Sequence, residues 1–334
     1  MGQDPCAEER SEGCSGVRAE VLQEDQGGRG GLIDPYGRVV SGLRVSLTQR
    51  CNLNCTYCHH EGEGASGIEM TTDEVLRIVS VARSLGVRRV KYTGGEPLLR
   101  RDIKEIIKGT TSMDLEDVAI TTNGSLLKQH AQNLVDAGLH RLNISLPSIR
   151  PEVYRSLTGG SLDDAMEGVM EAKGLGMEIK VNVVMMKGVN EGEIDPLLEF
   201  AKSLHGGLQL IELEDLNLEA SFFEKYHLDL SDIEEQLAKR TGHVIEREDM
   251  NRRRRYAING LPVEVVRPIN NPQFCMRCSR LRVTSDGKLK PCLMRSDNLI
   301  DLLGPMRKGN SDGALKGLFL KALNLRSPYY LQPS

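Results

Sequence analysis

The 334-residue chain contains no tryptophan, and aromatic residues make up only 4% of it. It also lacks any run of about 18 apolar residues, the length that a membrane-spanning helix needs, and its first residues (MGQDPCAEERSEGC) are polar and acidic, unlike a secretory signal. Neither sign of charge dominates, because 43 basic and 47 acidic residues leave a formal net charge of −4. These absences argue against a membrane, secreted or nucleic-acid-binding protein. They predict a soluble cytoplasmic protein whose partner is a small molecule.

Cysteine is present in a pattern that is not typical of disulfides. Of eight cysteines, six fall into two tight groups with most of the chain between them, and such clusters in a cytoplasmic chain indicate metal. The other two, Cys6 and Cys14, lie in a Gly- and Glu-rich leader and are interpreted as incidental thiols. The grouped cysteines are Cys51, Cys55 and Cys58, and then Cys275, Cys278 and Cys292.

Apolar, often β-branched runs alternate with segments of helical period over the first two thirds of the chain. This alternation predicts an α/β fold with parallel strands and crossover helices, and its extent favours an incomplete (β/α)6 TIM-type barrel over a closed eightfold one. Helices are predicted over 72–85, with a capping box formed by Thr71 and Glu74, and over 161–173. The predicted strands are Leu43–Thr48, Arg89–Thr93, Val118–Thr122, Arg141–Leu146, Ile179–Met185 and Leu208–Glu214.

Composition and the pattern of predicted elements divide the chain into three parts. Residues 1–30 have few apolar side chains and are predicted to form a flexible leader, and residues 31–216 form the partial barrel. Residues 217–334 are predicted to form a smaller, mainly antiparallel α+β domain that packs across the barrel mouth and carries the second cysteine group. Its predicted features are a helix capped by Ser231 with Glu234, a hairpin that turns at Asn259 and Gly260, and a helix over 314–323.

The first cysteine group, Cys51-x3-Cys55-x2-Cys58, supplies three thiolates directly after a predicted strand. A fully ligated electron-transfer cluster takes four cysteines, so three leave one iron of a [4Fe-4S] cluster open for a ligand. Zinc is the alternative, but structural zinc sites normally close with four protein ligands. The sequence therefore predicts an iron–sulfur cluster with a free coordination position.

This triplet, with Tyr57 before its last cysteine, resembles the signature of the radical S-adenosylmethionine superfamily. The segment TGGEP after the second predicted strand is similar to the GGEP segment of that superfamily, whose backbone and Glu hold the amino group of the cofactor. Glycines there let the main chain approach a ligand closely. The resemblance implies that Tyr57, Gly94, Gly95 and Glu96 contact S-adenosylmethionine.

The second group, Cys275-x2-Cys278-x13-Cys292, again offers three thiolates without an evident fourth, which favours a second incomplete cluster over a zinc ribbon. Arg280 and Arg282 follow at period-two spacing, so both guanidiniums project to one side of a strand. Their forks match phosphate oxygens. A phosphate-bearing ligand is expected beside this group.

The stretch FCMRCSRLRVTSDGKLKPCL resembles one family closely, the MoaA-type GTP 3′,8-cyclases of molybdenum cofactor biosynthesis. LIDPYGR, LRVSLTQRCNLNCTYC, YTGGEPLLRRD, TTNGSLL and KVNVVMMKGVN match as well, over about residues 32–295. The likeness implies two [4Fe-4S] clusters on the six grouped cysteines, the second of which binds the purine of GTP, and it adds Ser145 and Glu214 to the cofactor contacts. The residues that it implies for GTP are Arg44, Lys91, Thr121, Lys180, Arg280, Leu281 and Arg282.

By this resemblance the chain is an enzyme that converts GTP to (8S)-3′,8-cyclo-7,8-dihydroguanosine 5′-triphosphate, with a 5′-deoxyadenosyl radical removing the C3′ hydrogen. The implied partners are a low-potential electron donor of the flavodoxin or ferredoxin type and a downstream, MoaC-like cyclic pyranopterin monophosphate synthase. A homodimer is a further expectation. Nucleic acid and membrane are not expected as partners.

Three features depart from the family pattern: Glu214 stands where Met is usual, Lys91 replaces an arginine and loses its fork, and the chain ends in YYLQPS without Gly-Gly. Together with the motifs they indicate an archaeal-type member.

Two rival hypotheses are a radical enzyme acting on a peptide, which typically has a longer C-terminal cysteine series, and an iron–sulfur electron carrier with four ligands per cluster. The run Arg252–Arg255 is interpreted as a solvated hairpin face, with an electrostatic funnel for a nucleotide as the alternative. His59 and His60 are interpreted as exposed loop residues.

Overall fold

A computed structural model describes residues 18–22, 31–64, 66–241, 243–246, 251 and 253–330. Cys6, Cys14 and Arg252 lie outside the described residues, as do the last four residues of the tail. No helix in this part of the chain is long and apolar enough to cross a membrane.

A small antiparallel sheet precedes the barrel. Its strands are β1 (Glu20–Leu22), β2 (Gly31–Ile33) and β3 (Val39–Val40), in the order β1-β2-β3. The sequence predicted no structure before Leu32, so the flexible-leader prediction is wrong for β1, whose backbone pairs with β2. Two short apolar runs separated by a Gly-rich stretch carry too weak a periodic signal to indicate this pairing.

The six predicted strand–helix rounds are confirmed, apart from small differences at the ends of the elements. Parallel strands run side by side in the middle of a twelve-stranded sheet, and helices cover its outer face. The strands are β4 (Gly42–Ser46), β5 (Arg89–Thr93), β6 (Asp117–Thr122), β7 (Arg141–Ser145), β8 (Glu178–Met185) and β9 (Gly207–Glu212). The helices are α1 (Thr72–Ser84), α2 (Ile103–Thr111), α3 (Leu127–Asp136), α4 (Pro151–Thr158), α5 (Leu162–Gly174) and α6 (Ile194–Ser203).

The alternation of side chains along β8 shows how the sheet separates core from cavity. Ile179 and Val181 are buried in the core toward the helices, whereas Lys180 and Asn182 line an interior cavity. Successive residues of a strand point to opposite faces, so a period-two sequence places its polar set inside the barrel. The inward face of the barrel is therefore the place where polar chemistry collects.

Helix α1 illustrates how the outer layer is fixed. The predicted capping box is confirmed: Glu74 N donates to Thr71 Oγ1 (3.3 Å), and Thr71 N donates to Glu74 Oε2 (2.8 Å). These two bonds satisfy backbone donors that the first turn leaves free. Val75, Ile78 and Val79 on its inner face are buried in the core.

The strands after residue 216 extend the barrel sheet at both of its edges. β12 pairs in parallel with β9, and β13 pairs in parallel with β4. The strands are β10 (Val244–Glu246), β11 (Arg254–Ile258), β12 (Leu261–Val266), β13 (Arg280–Val283), β14 (Lys288–Lys290) and β15 (Ile300–Asp301). The helices are α7 (Ala220–Tyr226), α8 (Ser231–Arg240), α9 (Pro272–Met276), α10 (Leu303–Arg307) and α11 (Asp312–Asn324).

Two local predictions in this region have different outcomes. The hairpin of β11 and β12 is confirmed, and Asn259 and Gly260 have φ angles of 49° and 83°, as a two-residue turn with two positive φ angles requires. The cap predicted for α8 is wrong. Ser231 is the first residue of the helix, and the Glu234 carboxylate accepts from Tyr256 Oη (3.1 Å) and from Arg267 Nη1 (2.9 Å). Tertiary partners thus take the Glu234 side chain away from the helix end.

A glycine in α5 gives a test of the helix packing. A Cβ on Gly168 would lie 2.2 Å from the carbonyl oxygen of Gly124, and a backbone atom cannot rotate away. We expect Gly168→Ala to lower the free energy of unfolding by roughly 2–3 kcal/mol, measured by urea denaturation. Gly174 ends the same helix, and a Cβ added there would meet nothing within 4 Å. Gly174→Ala should therefore be neutral or raise the free energy of unfolding by up to about 1 kcal/mol. Equal effects of the two substitutions would contradict the packing described here.

Candidate active site

The two cysteine groups meet at one cavity inside the barrel. Its volume is about 1230 Å³, and inward side chains of β4 to β9 form its wall together with residues of β12, β13 and the C-terminal segment. All six grouped cysteines line this cavity and are free thiols. Residues that are far apart in the sequence therefore share one enclosed space, as expected for the carboxyl ends of barrel strands.

The first cysteine loop is fixed by its backbone. Cys58 N donates to the Cys55 carbonyl (3.2 Å), while Asn54 N and Thr56 N donate to the carbonyls of Thr158 (3.0 Å) and Leu157 (2.8 Å) at the end of α4. Burial, and then the neighbouring thiols of Cys58 and Cys51, raise the pKa of Cys55 to about 12. A crowded set of thiols becomes anionic when a bound metal shares the charge. The chemistry of this donor set therefore fits a metal cluster.

The spacing of the cysteines distinguishes between cluster and zinc. Among the residues that the structure describes, no three His, Cys, Asp or Glu side chains lie close enough together to hold one metal ion. Each thiolate of a [4Fe-4S] cluster binds a different iron, so the ligands of a cluster surround a wider space than those of zinc. Three thiolates are also the number that leaves one iron of such a cluster open.

The glycines of the TGGEP segment lie against the start of the cysteine loop. A Cβ on Gly95 would lie 2.2 Å from the Arg50 carbonyl oxygen, and one on Gly94, whose φ is 138°, would lie 2.3 Å from the Thr48 carbonyl oxygen. Gly95 N and Glu96 N donate to these same two carbonyls, of Thr48 (2.7 Å) and Arg50 (2.8 Å). Glycine is therefore needed here for close backbone packing, in addition to the approach of a ligand.

Most of the residues predicted to contact the cofactor lie on the cavity wall, but Glu96 does not. Tyr57, Gly94, Gly95 and Ser145 all line the cavity. Glu96 is only 1% exposed and is not on the cavity wall. Its carboxylate accepts from Leu98 N (3.0 Å), Thr122 Oγ1 (2.8 Å) and Asn123 N (2.8 Å). In this structure the carboxylate joins the loops after β5 and β6, and its contact with the cofactor stays a prediction.

Glu96 also provides a pH test. Burial raises its pKa from 4.5 to about 7, against the hydrogen bonds from Asn123 and Leu98. A carboxyl with a raised folded-state pKa stabilises the fold in its protonated form, and this contribution is lost as pH rises from about 4.5 to 7. We expect wild-type protein to lose on the order of 3 kcal/mol relative to Glu96→Gln over this range, measured by denaturation at each pH. A difference that does not change with pH would contradict the shift.

The residues predicted for GTP form a basic surface on the cavity wall, with one exception. Arg44 pairs in register with Lys91 on β5 and with Arg282 on β13. Burial, and then the charge of Arg44, lower the pKa of Lys91 well below its usual value. Arg44 Nε is buried and has no hydrogen-bond partner among the described residues, which fits a bound anion. The predicted GTP residues on the wall are Arg44, Lys91, Thr121, Lys180, Arg280 and Arg282.

Leu281 is the exception. Its side chain is fully buried in the core and does not line the cavity, and its contact with GTP stays a prediction. The reason for this burial is the pleat of β13, which points Arg280 and Arg282 to one face and Leu281 to the other.

Glu61 is a site residue that the sequence analysis missed. Its carboxylate lies 2.7 Å from Arg44 Nη2 and 2.8 Å from Arg282 Nη1, and it accepts from Thr93 Oγ1 (2.9 Å). Although burial opposes its ionisation, the charges of Arg44 and Arg282 lower its pKa to about 2. Glu61 has a φ of 53°, in the left-handed region, and this turns its side chain inward. Its position three residues after Cys58 was the available signal.

The structure changes the interpretation of His59 and Arg253 and agrees with that of His60. His59 is not simply exposed, since its Nδ1 accepts from Glu61 N (3.0 Å) and its Nε2 lies 3.9 Å from Glu214 Oε2 on the cavity wall. His60 is exposed, as predicted. Arg253 is buried and lines the cavity, which contradicts a solvated face at this position and favours the electrostatic alternative.

Comparisons with known proteins agree with this geometry. Residues 45–201 match the Radical SAM superfamily, and residues 207–332 match Molybdenum Cofactor Synthesis C. In structure, the chain resembles Streptococcus suis SuiB bound to precursor peptide SuiA (TM-score 0.61, 17% identity, 90% of this chain and 76% of that one). It also resembles native anSMEcpe with bound AdoMet and Cp18Cys peptide (TM-score 0.59, 17% identity, 86% and 81%). At this identity the likeness shows the fold alone.

The chain is thus an enzyme of the radical S-adenosylmethionine type, a class that uses a [4Fe-4S] cluster and S-adenosylmethionine. Proteins named "Probable GTP 3′,8-cyclase" are similar over nearly their whole length. The protein from Thermococcus kodakarensis is 46% identical over 90% of this chain and 99% of its own, and that from Methanocella arvoryzae is 42% identical over 90% and 94%. The chain belongs to the GTP 3′,8-cyclase family, and these archaeal relatives agree with the archaeal-type prediction.

Proposed function

We propose that this chain converts GTP to (8S)-3′,8-cyclo-7,8-dihydroguanosine 5′-triphosphate in molybdenum cofactor biosynthesis. The observation that carries the proposal is the meeting of two cysteine triplets and a row of cations at one cavity. An electron carrier needs neither a cavity of this size nor buried guanidiniums facing it. A polyanionic substrate needs both, because its charge must be matched where water is excluded.

The residues divide the work as follows. Cys51, Cys55 and Cys58 would hold the first [4Fe-4S] cluster, and Gly94 and Gly95 lie on the same cavity wall. A cluster and S-adenosylmethionine bound there would together supply the radical chemistry. The protein contributes position and exclusion of water, which bring C3′ of the ribose to the radical and C8 of the base to C3′.

Substrate binding is assigned to the second cysteine group and the cations on the cavity wall. Cys275, Cys278 and Cys292 hold a second [4Fe-4S] cluster that binds the purine. Arg280 and Arg282, on the strand that follows Cys278, lie beside it on the wall with Arg44 and Lys91 on the neighbouring strands. The guanidinium forks hold the triphosphate through charge-assisted hydrogen bonds.

The proposed reaction also implies partners and a location. The electron comes from a low-potential donor of the flavodoxin or ferredoxin type, and the product passes to a MoaC-like cyclic pyranopterin monophosphate synthase. Six free thiols at the site suit a reducing compartment, so we place the protein in the cytoplasm. A homodimer remains part of the proposal, as does a domain boundary between residues 216 and 217.

The test is an anaerobic assay of the reconstituted protein with dithionite, S-adenosylmethionine and GTP. We expect 5′-deoxyadenosine and the cyclic nucleotide to form together, in equal amounts, only when GTP is present. ATP and a short peptide serve as substrate controls, the peptide addressing the rival class of radical enzymes. Cys55→Ser should abolish both products. Formation of 5′-deoxyadenosine at the same rate with or without GTP would contradict the proposal.

A further inference from the structure

A buried cluster of charged residues joins the N-terminal turn of the chain to the second cysteine group. It consists of Asp34, Arg38 and Arg326, which are 1%, 7% and 5% exposed; we call these three residues the clamp. Asp34 and Arg38 belong to the LIDPYGR motif, to which the proposed chemistry gives no role. None of the three is among the residues assigned to cofactor or substrate.

The carboxylate of Asp34 organises the clamp. Its Oδ1 accepts from Tyr36 N (3.0 Å) and Arg38 N (3.0 Å), which closes the turn between β2 and β3. Its Oδ2 lies 2.6 Å from Arg38 Nε and 3.0 Å from Arg326 Nη1. One buried anion therefore orients two guanidiniums, one from each end of the chain. Gly37, with a φ of 75°, permits the tight turn.

The remaining donors of the two guanidiniums reach the backbone of the second cysteine group. Arg38 Nη1 donates to the Cys275 carbonyl (3.0 Å), and Arg326 Nη2 donates to the Cys278 carbonyl (2.7 Å). Arg38 also donates to the carbonyls of Ser327 (2.8 Å) and Pro328 (2.9 Å). The backbone at both cysteines is thus held by Arg38 and Arg326, which reach the same cavity wall as the thiols.

The clamp acts on the backbone of Cys275 and Cys278 and leaves their sulfur atoms to a cluster. Groups outside the immediate ligands orient the ligands of a metal site and tune its properties, and their loss weakens metal binding by about 10–100-fold. Loss of Asp34 would also leave two buried guanidiniums without their counter-ion.

We propose that the clamp positions the second cysteine group for its cluster, and that Asp34 is the residue on which this positioning depends. This inference rests on the proposed function, since that function supplies the second cluster. It assigns Asp34, Arg38 and Arg326 as positioning residues that touch neither cofactor nor substrate. Its readout is therefore the iron bound at one site, independent of turnover.

The experiment measures iron and sulfide per chain, and the electron paramagnetic resonance spectrum of the dithionite-reduced clusters, in anaerobically reconstituted protein. Wild type should hold about eight irons and Asp34→Asn about four, a twofold loss. Glu193→Gln is the matched control: Glu193 is 4% exposed and binds Ser148, Ile149 and Arg150, with no cysteine among these partners. It should lower thermal stability and keep about eight irons.

A second variant separates a specific loss from general unfolding. Cys275→Ser alone should hold about four irons, and adding Asp34→Asn should remove no more, because both changes act on the same cluster. Further loss of iron in the double variant would overturn the clamp, since it would show damage to the first site. Arg326→Lys keeps the charge but not the fork, and should retain iron while shifting the spectrum of the second cluster.

The possible results separate a failure of the clamp from a failure of the proposed function. If wild type holds about eight irons and Asp34→Asn keeps them all with an unchanged spectrum, the clamp is overturned and the proposed function stands. If wild type holds only the four irons of the first site, the second cluster fails and the clamp fails with it.

Discussion

Gly95→Ala is expected to reduce the conversion of GTP at least 100-fold. The added Cβ would lie 2.2 Å from the carbonyl oxygen of Arg50, the residue directly before Cys51. Neither backbone segment can yield without moving the cysteine loop, and a misplacement of about 1 Å at a reacting centre costs on the order of 100-fold in rate. The measurement is the rate of 5′-deoxyadenosine formation in the presence of GTP.

The control for Gly95 lies in the segment that follows the same loop. Gly67 is exposed, and a Cβ there would meet nothing within 4 Å, so Gly67→Ala should leave the rate within about twofold of wild type. Iron analysis should show fewer irons at the first site in Gly95→Ala. Full turnover with normal iron in that variant would show that the two loops do not pack as described.

The second large effect is expected at Arg282. Arg282→Ala removes a donor for the substrate anion and also exposes the Glu61 carboxylate, which lies 2.8 Å from Arg282 Nη1. Both changes weaken binding of a triphosphate, since one removes attraction and the other adds repulsion. We expect the Kd for GTP to rise about 100-fold, equivalent to about 2.7 kcal/mol, measured by calorimetry on the reconstituted protein.

A double variant tests the coupling between the two residues. Among the described residues, Glu61 in Arg282→Ala keeps only Arg44 as a counter-ion. Removing its charge in Arg282→Ala/Glu61→Gln should recover about tenfold of the lost affinity, because the repulsive part of the effect disappears. Arg307→Ala, which breaks a surface pair with Glu74, should leave GTP binding unchanged. If the double variant binds GTP more weakly than Arg282→Ala, Glu61 does not act through Arg282.

Periodicity and spacing predicted the features that are local in the sequence. The strands of the barrel were found because their apolar runs and turns repeat. The cysteine groups were found because three thiolates fall within eight residues in the first group and within 18 in the second. Leu281 was included with the neighbouring arginines as a motif, although the alternation of side chains in a strand places it on the opposite face. The burial of its side chain could therefore have been predicted from the sequence.

Other features depend on partners that no local pattern identifies. Glu61 belongs to the site because Arg44, Thr93 and Arg282 come from three different strands to meet it. In the sequence, Asp34 has the pattern of a turn residue. In the structure, Arg326 near the end of the chain forms a second ion pair with it. Burial and long-range pairing decided these roles, and neither can be read from composition or from residue spacing.

The attachment of β13 to β4 has a consequence for synthesis of the chain. β4 ends at Ser46, but its outer neighbour, Arg280–Val283, leaves the ribosome only after most of the protein has been made. Until then the backbone groups on one edge of β4 have no strand to pair with, and an open edge invites pairing with other chains. A fragment that stops near residue 216 would keep that edge permanently, so we expect it to aggregate where the whole chain remains dispersed.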